Sequence, residues 1–451
     1  MSTRMRSSLN LARWLQPGLG VKRWLLLAAI GATLFVNGIS RYLTDEGTTL
    51  RVNELVDGLV ADFFPPAYLS YVFIVVGAIF VAVGIWLWLN AIVTAVAPHG
   101  SGNVIRAIRE RKLERGYKIV VVGGGTGLST MLRGLKKITT NLTAVVTVSD
   151  DGGSSGRLQK ELGVLPPGDI RNCLVALADD EALVTELFRY RFAEGEGLSG
   201  HSFGNLFLAA MTGITGNFDE AIKVSSRVLN VKGRVLPSTL AVARLCAKLA
   251  DGRVVEGESN IPEARGTIDQ VFLDPPYAAP LDEVITALRE ADAIVLGPGS
   301  LYTSIMPNLL VDRIGREIEA SSAVKIYVCN VMTQPGETDG YTASDHVAAL
   351  LRGAHAHVCE ITVVNDELPR KLREAYAEEG QLPVRVDEDE LRTLGVRVVR
   401  ANVISETETV RHDSDRLAAV VVGIVDEAVA QRASYVLRPS PGSSAGTATA
   451  S

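Results

Sequence analysis

Five short runs of glycine, small hydroxyl and polar residues are places where this chain could hold a negatively charged group. The first is Gly123-Gly124-Gly125-Thr126-Gly127, directly after the apolar run 118–123 (KIVVVG) and before an amphipathic stretch. Glycines let a backbone approach a phosphate closely, and a helix opening there offers unpaired N–H groups. A dinucleotide fingerprint would need a further glycine three positions after Gly125, where Leu128 stands. The loop therefore reads as a general phosphate turn, with a purely structural tight turn as the alternative.

The second run, Asp150-Asp151-Gly152-Gly153-Ser154-Ser155-Gly156-Arg157, ends the next apolar stretch. An acid about 25 residues beyond the first loop is where α/β nucleotide binders hydrogen-bond a ribose. Two adjacent acids are equally suited to a divalent ion such as magnesium, shared with a diphosphate. Ser154 and Ser155 add hydroxyl donors to a nest of N–H groups. In Pro167-Gly168-Asp169-Ile170-Arg171-Asn172, Asp169 suits a helix N-cap. Arg171 and Asn172 in a first turn are odd without an anion beside them, because cations are disfavoured at that end.

Ser199-Gly200-His201-Ser202-Phe203-Gly204-Asn205 opens another apolar segment, LFLAAM. His201 is open between a ligand contact and a structural hydrogen bond, and nothing in the sequence makes it a general base. The fifth run, Gly297-Pro298-Gly299-Ser300-Leu301-Tyr302-Thr303-Ser304, follows AIVLG, and Asn330, Thr333, Gln334 and Glu337 follow the next apolar stretch.

The elements that must carry these runs are short and β-branched: strands at 118–123, 144–149, 293–297, 325–330 and 357–365, with a helix at 128–137. Uninterrupted apolar strands alternating with amphipathic segments predict an α/β domain, a mostly parallel sheet with helices on both faces. Residues 228–276 have a different texture, polar-apolar alternation in short pieces, and read as a small antiparallel insertion. In doubly wound sheets ligands sit at the carboxyl ends of strands, so the five loops should converge on one crevice. Each loop singly is weak; their convergence is the argument. His355 and His357, on the last of these strands, would point to one face, but two ligands without a third read as structural. No GxxxxGK[ST] or HExxH pattern occurs, nor a GxSxG with triad partners.

The apolar fraction is 47%, and its excess lies before residue 98. Residues 24–40 and 67–97 carry no charge, and the second is long enough to span a bilayer with tilt. Basic residues precede the first stretch and follow the second, whereas 41–66 holds two arginines against five acids. The positive-inside bias thus predicts a hairpin of two transmembrane helices over 1–98, with both termini and the main domain cytoplasmic at the cell membrane. A basic linker at 99–117 would follow, and 434–451 (ending RPSPGSSAGTATAS) reads as a disordered tail. The chain is −6 overall, made of +6 over 1–118 and −12 over 119–451. So acidic a domain is no partner for nucleic acid. Cys173, Cys246, Cys329 and Cys359 sit in apolar runs and read as buried free thiols.

Taken in order, KIVVVGGGTG, VSDDGGSSGRL, LPPGDIRNCL, SGHSFGNL, LGPGSLYTS and NVMTQPGET resemble the CofD-like family, over residues 118–433. They are most similar to its YvcK-type branch, the gluconeogenesis factors. The resemblance implies a Rossmann-like fold and a site for UDP-sugars such as UDP-N-acetylglucosamine. It also implies a regulatory role in gluconeogenic growth, cell shape and cell-wall precursor supply in bacteria. The neighbouring branch joins a phospholactyl group from a nucleotide diphosphate to a deazaflavin, so a transferase with a divalent metal at Asp150 and Asp151 is the alternative. Carried over residue by residue, Gly124, Gly125, Thr126, Gly127, Asp150, Asp151, Ser154, Ser155, Arg171, His201, Asn205, Gly299, Ser300 and Tyr302 would line the nucleotide crevice. Asp169 and Asn172 join them from the third run, and no residue is assigned a catalytic role. The partners this implies are a UDP-sugar or other nucleotide, the lipid bilayer, further copies of the chain, and cell-wall or metabolic enzymes.

Overall fold

The computed structural model describes residues 21–43, 66–96 and 111–436, apart from 180, 367, 371–372, 375, 377–379 and 406–410. The acidic loop 44–65, most of the basic linker and residues 437–451 of the tail lie outside the described residues. The chain divides into two units between Lys112 and Leu113.

In the first unit, α1 (Val21–Leu43) and α2 (Pro66–Val96) pack against each other. Their seam is made of glycines. A β-carbon on Gly77 would lie 2.5 Å from the Phe35 nitrogen, one on Gly31 2.7 Å from Phe80 Cβ, and one on Gly84 2.7 Å from the Ala28 nitrogen. The pairing runs Ala28 with Gly84 and Gly38 with Ile74, so the helices are antiparallel. Close backbone contact through small residues is how helices associate where lipid removes any hydrophobic drive. The outward faces carry Leu26, Val36, Tyr68, Ile79 and Trp86, all exposed. Both helices are long and apolar enough to cross a membrane.

In the second unit, runs without polar alternation become strands buried on both faces, which requires helices above and below. Among the described residues seven strands form one sheet: β1 (Ile119–Gly123), β2 (Leu142–Val146), β3 (Arg234–Pro237), β7 (Ala293–Leu296), β8 (Val324–Val328), β9 (Ile361–Asn365) and β10 (Arg397–Ala401). Their order is β10-β9-β8-β7-β1-β2-β3, and every pair is parallel. A second sheet, β4 (Arg244–Leu249), β5 (Val254–Glu256) and β6 (Ile268–Asp274), is antiparallel in the order β5-β4-β6. The expected fold class is thus observed.

Successive strand residues point to opposite faces. Ile119 and Val121 meet α3 (Gly125–Leu135), α5 (Gly168–Leu177) and α12 (Ser414–Val436) through Leu128, Leu132, Ile170, Leu174, Leu417 and Val421. Val120 and Val122 meet α9 (Asp282–Glu290), α10 (Ile314–Ala320), α11 (Ala343–Ala354) and the small sheet. Four further helices, α4 (Gly153–Leu162), α6 (Glu181–Arg189), α7 (Phe203–Thr215) and α8 (Phe218–Val228), surround the carboxyl end of β2 or follow from it. All four cysteines are buried and free.

Two expectations need correction, and one strand was not foreseen. Residues 234–237 lie within the stretch assigned to the insertion, yet they form β3 at the edge of the main sheet, where Pro237 costs no ladder bond toward a further strand. The half-exposed RVVRA of β10 gave no apolar run to announce a strand. His355 is the left-handed C-cap of α11 and His357 lies in the loop beyond it, so the pair does not share a strand face.

Candidate functional site

β1 is flanked by β2 on one side and β7 on the other, so chain order reverses at β1. Such a switch point opens a crevice at the carboxyl ends of the strands, where the loops on its two sides diverge. The Gly-rich turns after β1 and after β7 meet there. A β-carbon on Gly127 would collide with the carbonyl oxygen of Pro298, and one on Gly299 would stand 3.5 Å from the Gly124 oxygen. Asn308 Nδ2 ties the two turns together, donating to Gly123 O at 3.1 Å and to Ser304 O at 2.9 Å. Gly125 has φ +65°, a conformation that L side chains rarely adopt, and its N–H donates to Asp169.

The loop after β2 brings in the acids. Asp150 Oδ1 accepts the Gly152 N–H at 3.1 Å, and its other oxygen lies against Gly168, beside Ser155 Oγ. Asp169 is not the N-cap of α5; that residue is Pro167, and Asp169 sits in the first turn beneath Gly124. Burial, then the charge of Asp150, raises Asp169 from 3.8 to about 6. Asp151 turns to the small sheet, accepting from the Ser259 N–H at 3.0 Å and its hydroxyl at 2.8 Å. That contact delivers Glu258, which motif reading missed because it lies in a polar turn of the insertion. Burial first, then Asp150, Asp169, Asp151 and Glu337, push Glu258 from 4.5 to about 8. Glu337 is buried, accepts from Thr303 Oγ1 at 3.2 Å, and is raised to about 7, mainly by burial. Among the described residues no group of three or more His, Cys, Asp or Glu side chains is spaced to hold a metal ion alone.

Behind these acids lies a polar network. Ser154 Oγ and His201 Nδ1 are 2.9 Å apart, and Asn205 Nδ2 donates to Ser154 Oγ at 3.1 Å. Arg171 donates to Ser202 Oγ at 2.6 Å and Asn205 Oδ1 at 3.0 Å through Nη1, and to Asn172 Oδ1 at 2.9 Å through Nη2. Ser202 caps α7 by accepting the Asn205 N–H. Burial, with Arg157 second, lowers the His201 pKa and favours its neutral form, and the ring is bound to Ser154.

An open cleft of about 280 Å³ runs along the rim, lined by Thr126, Gly127, Asn172, Gly299, Gln334 and the cations Arg133, Arg189 and Arg411. The arginines bring local positive charge to a domain that is acidic overall; Arg189 and Arg411 lie in no motif, so sequence had no signal for them. Of the expected residues, Thr126, Gly127, Asn172 and Gly299 line this cleft. Gly124, Gly125, Asp150, Ser155 and Asp169 converge beside it. Ser154, Arg171, His201 and Asn205 form the buried support, and Ser300 Oγ accepts from Gln334 Nε2 at 2.8 Å. Tyr302 lies apart: its ring packs in the core facing α9–α11, and its hydroxyl meets that of Tyr341 at 2.8 Å.

Comparison with known proteins accords with this geometry. The family model of 2-phospho-L-lactate transferase CofD matches residues 119–404. The gluconeogenesis factor of Bacillus subtilis (strain 168) is 52% identical over 312 residues, spanning 69% of this chain and 98% of its own. A gluconeogenesis-factor homologue from Nostoc sp. is 48% identical over 422 residues and spans 91% of each chain. A crystal structure of a UPF0052 family member from Bacillus halodurans, 49% identical, superposes with a TM-score of 0.66 over 68% of this chain and 99% of that one. The Bacillus proteins thus match about two thirds of this chain over almost their whole length, whereas the match to the Nostoc protein extends over nine tenths of both. On this evidence the chain belongs to the CofD family, in the YvcK-type branch of the gluconeogenesis factors.

Proposed function

We propose that the chain is a membrane-tethered regulator that binds a nucleotide-sugar of the UDP-N-acetylglucosamine kind in the crevice beside β1. The observation that carries the reading is the contact of the two Gly-rich turns at the switch point, with three arginines on the adjoining cleft. Backbone N–H groups at that rim suit the diphosphate, and the arginines neutralise its charge. Asp150, with one oxygen unoccupied by Gly152, is suited to ribose hydroxyls. His201 pairs with Ser154 in the buried network, where Asn205 also holds the serine, and Asp151 is engaged by Ser259, so both have supporting contacts within the protein. Occupancy of the crevice would report precursor supply, which fits a role in carbon metabolism, cell shape and wall synthesis. The apolar outward faces of α1 and α2 suit a bilayer, with the main domain on the cytoplasmic side.

A transferase acting on a nucleotide diphosphate is the second reading, favoured by the family's name and by the acids around Asp150. Magnesium would then be shared between Asp150 and the ligand phosphates, where it would neutralise charge on the diphosphate. Incubation of the full chain with UDP-N-acetylglucosamine and magnesium, followed by product chromatography, separates the two. The regulator reading expects the ligand to return unchanged; conversion to a new product overturns it.

A further inference from the structure

The carboxyl ends of β8, β9 and β10 border a second, open cavity of about 180 Å³, which shares Asn330 and Val331 with the arginine-lined cleft. Its walls mix polar surface, the larger share, with apolar side chains, Val364, Pro383, Val384 and Val386 among them; the segment that carries the last three is fixed by the Val384 N–H on Val331 O at 3.0 Å. The polar side chains are Asn330, Asn365, the exposed carboxylate of Asp366, and Arg400, whose Nε is held by Glu388 at 2.7 Å. No aromatic ring lines this cavity, whereas Tyr376 lines the cleft.

Asn330 is the telling residue. Its Nδ2 donates to Gln334 Oε1 at 3.0 Å, and Gln334 Nε2 donates to Ser300 Oγ at 2.8 Å, so it is wired to the turn after β7. Its Oδ1 is buried with no partner among the described residues. Turning both amides over would exchange oxygen for NH2 but still leave one end of Asn330 unmet. Buried polar atoms are seldom left so, and this one borders both cavities.

Building on the nucleotide-sugar reading, the geometry points to this cavity as the subsite for the glycosyl group, with Asn330 and Asp366 reading its hydroxyl or amide donors. A phosphate is poorly matched, because the Asp366 carboxylate lies in the wall and Arg400 is already held by Glu388. A base is poorly matched, because the stacking ring is in the cleft. A mostly polar lining with valines and a proline beside it fits a neutral, hydroxyl-bearing ring with an acyl substituent.

The test is calorimetric titration of the full chain with UDP and with UDP-N-acetylglucosamine, for wild type, Val384→Phe and Asp366→Asn. Wild type should bind the sugar nucleotide the tighter. Val384→Phe, which fills the cavity, should weaken it tenfold or more and leave UDP within twofold. Asp366→Asn, at an exposed position that spares the fold, should shift the same preference several-fold. Equal loss for both probes, or an unchanged preference in both variants, overturns the subsite while leaving nucleotide binding intact. Failure of wild type to bind either probe sinks the nucleotide-sugar reading itself, and the subsite falls with it.

Discussion

Gly127 packs directly against the carbonyl oxygen of Pro298, so the turn after β1 and the turn after β7 share a backbone contact. That contact closes the floor of the crevice, and backbone on both sides leaves no flexible atom to move aside. Gly127→Ala should therefore cost about 1–3 kcal/mol of stability, as overpacking of a tight site does. Chemical denaturation checks this. A variant as stable as wild type would mean that the turns are free to part.

Asp169, Glu337 and Glu258 make stability fall as the medium becomes alkaline. Their folded pKa values, about 6, about 7 and about 8, all lie above the ordinary carboxylate values of 3.8 and 4.5, with burial the leading cause. The folded state holds these protons more tightly than the unfolded chain. The contribution is fully present below pH ~4 and is lost as pH rises through 6 to 8. Glu258→Gln, which mimics the protonated acid, should match wild type at pH 4. It should exceed wild type by at least about 1 kcal/mol at pH 8.5, after allowance for partial solvent screening. Melting curves at the two pH values decide it; parallel curves would place Glu258 in an ordinary solvated setting.

The hairpin makes a separate prediction. Chains that keep α1 and α2 should remain in the membrane pellet after alkaline carbonate extraction, while a chain beginning at Leu113 should be released. Release of the full chain would assign the exposed apolar faces of Leu26, Val36 and Trp86 to a protein partner instead.

How much of this was legible beforehand follows from what each residue's neighbours are. The buried strands at 119–123 and 293–296 announced themselves as unbroken apolar runs, and the Gly-rich turns at their ends had to meet once the sheet was parallel. β3 and β10 were hidden because edge strands are short or half solvated and leave no such run. Glu258 was illegible for another reason. Its environment is made by Asp150, Asp169 and Glu337, from three other loops, and nothing in its own turn records them. Tyr302 shows the reverse error: its motif placed its backbone well, but a bulky ring one turn into a helix-like segment had room only in the core.

The most direct measurement is titration of the full chain in detergent with UDP-N-acetylglucosamine, wild type against Asp150→Asn. Binding to the crevice beside β1 predicts saturation at one site per chain, displacement by UDP, and an affinity lower by about tenfold or more in the variant, since a hydrogen bond to a charged group is worth roughly 1.5–3 kcal/mol. No saturable binding, or a correctly folded Asp150→Asn that binds as tightly as wild type, would contradict it.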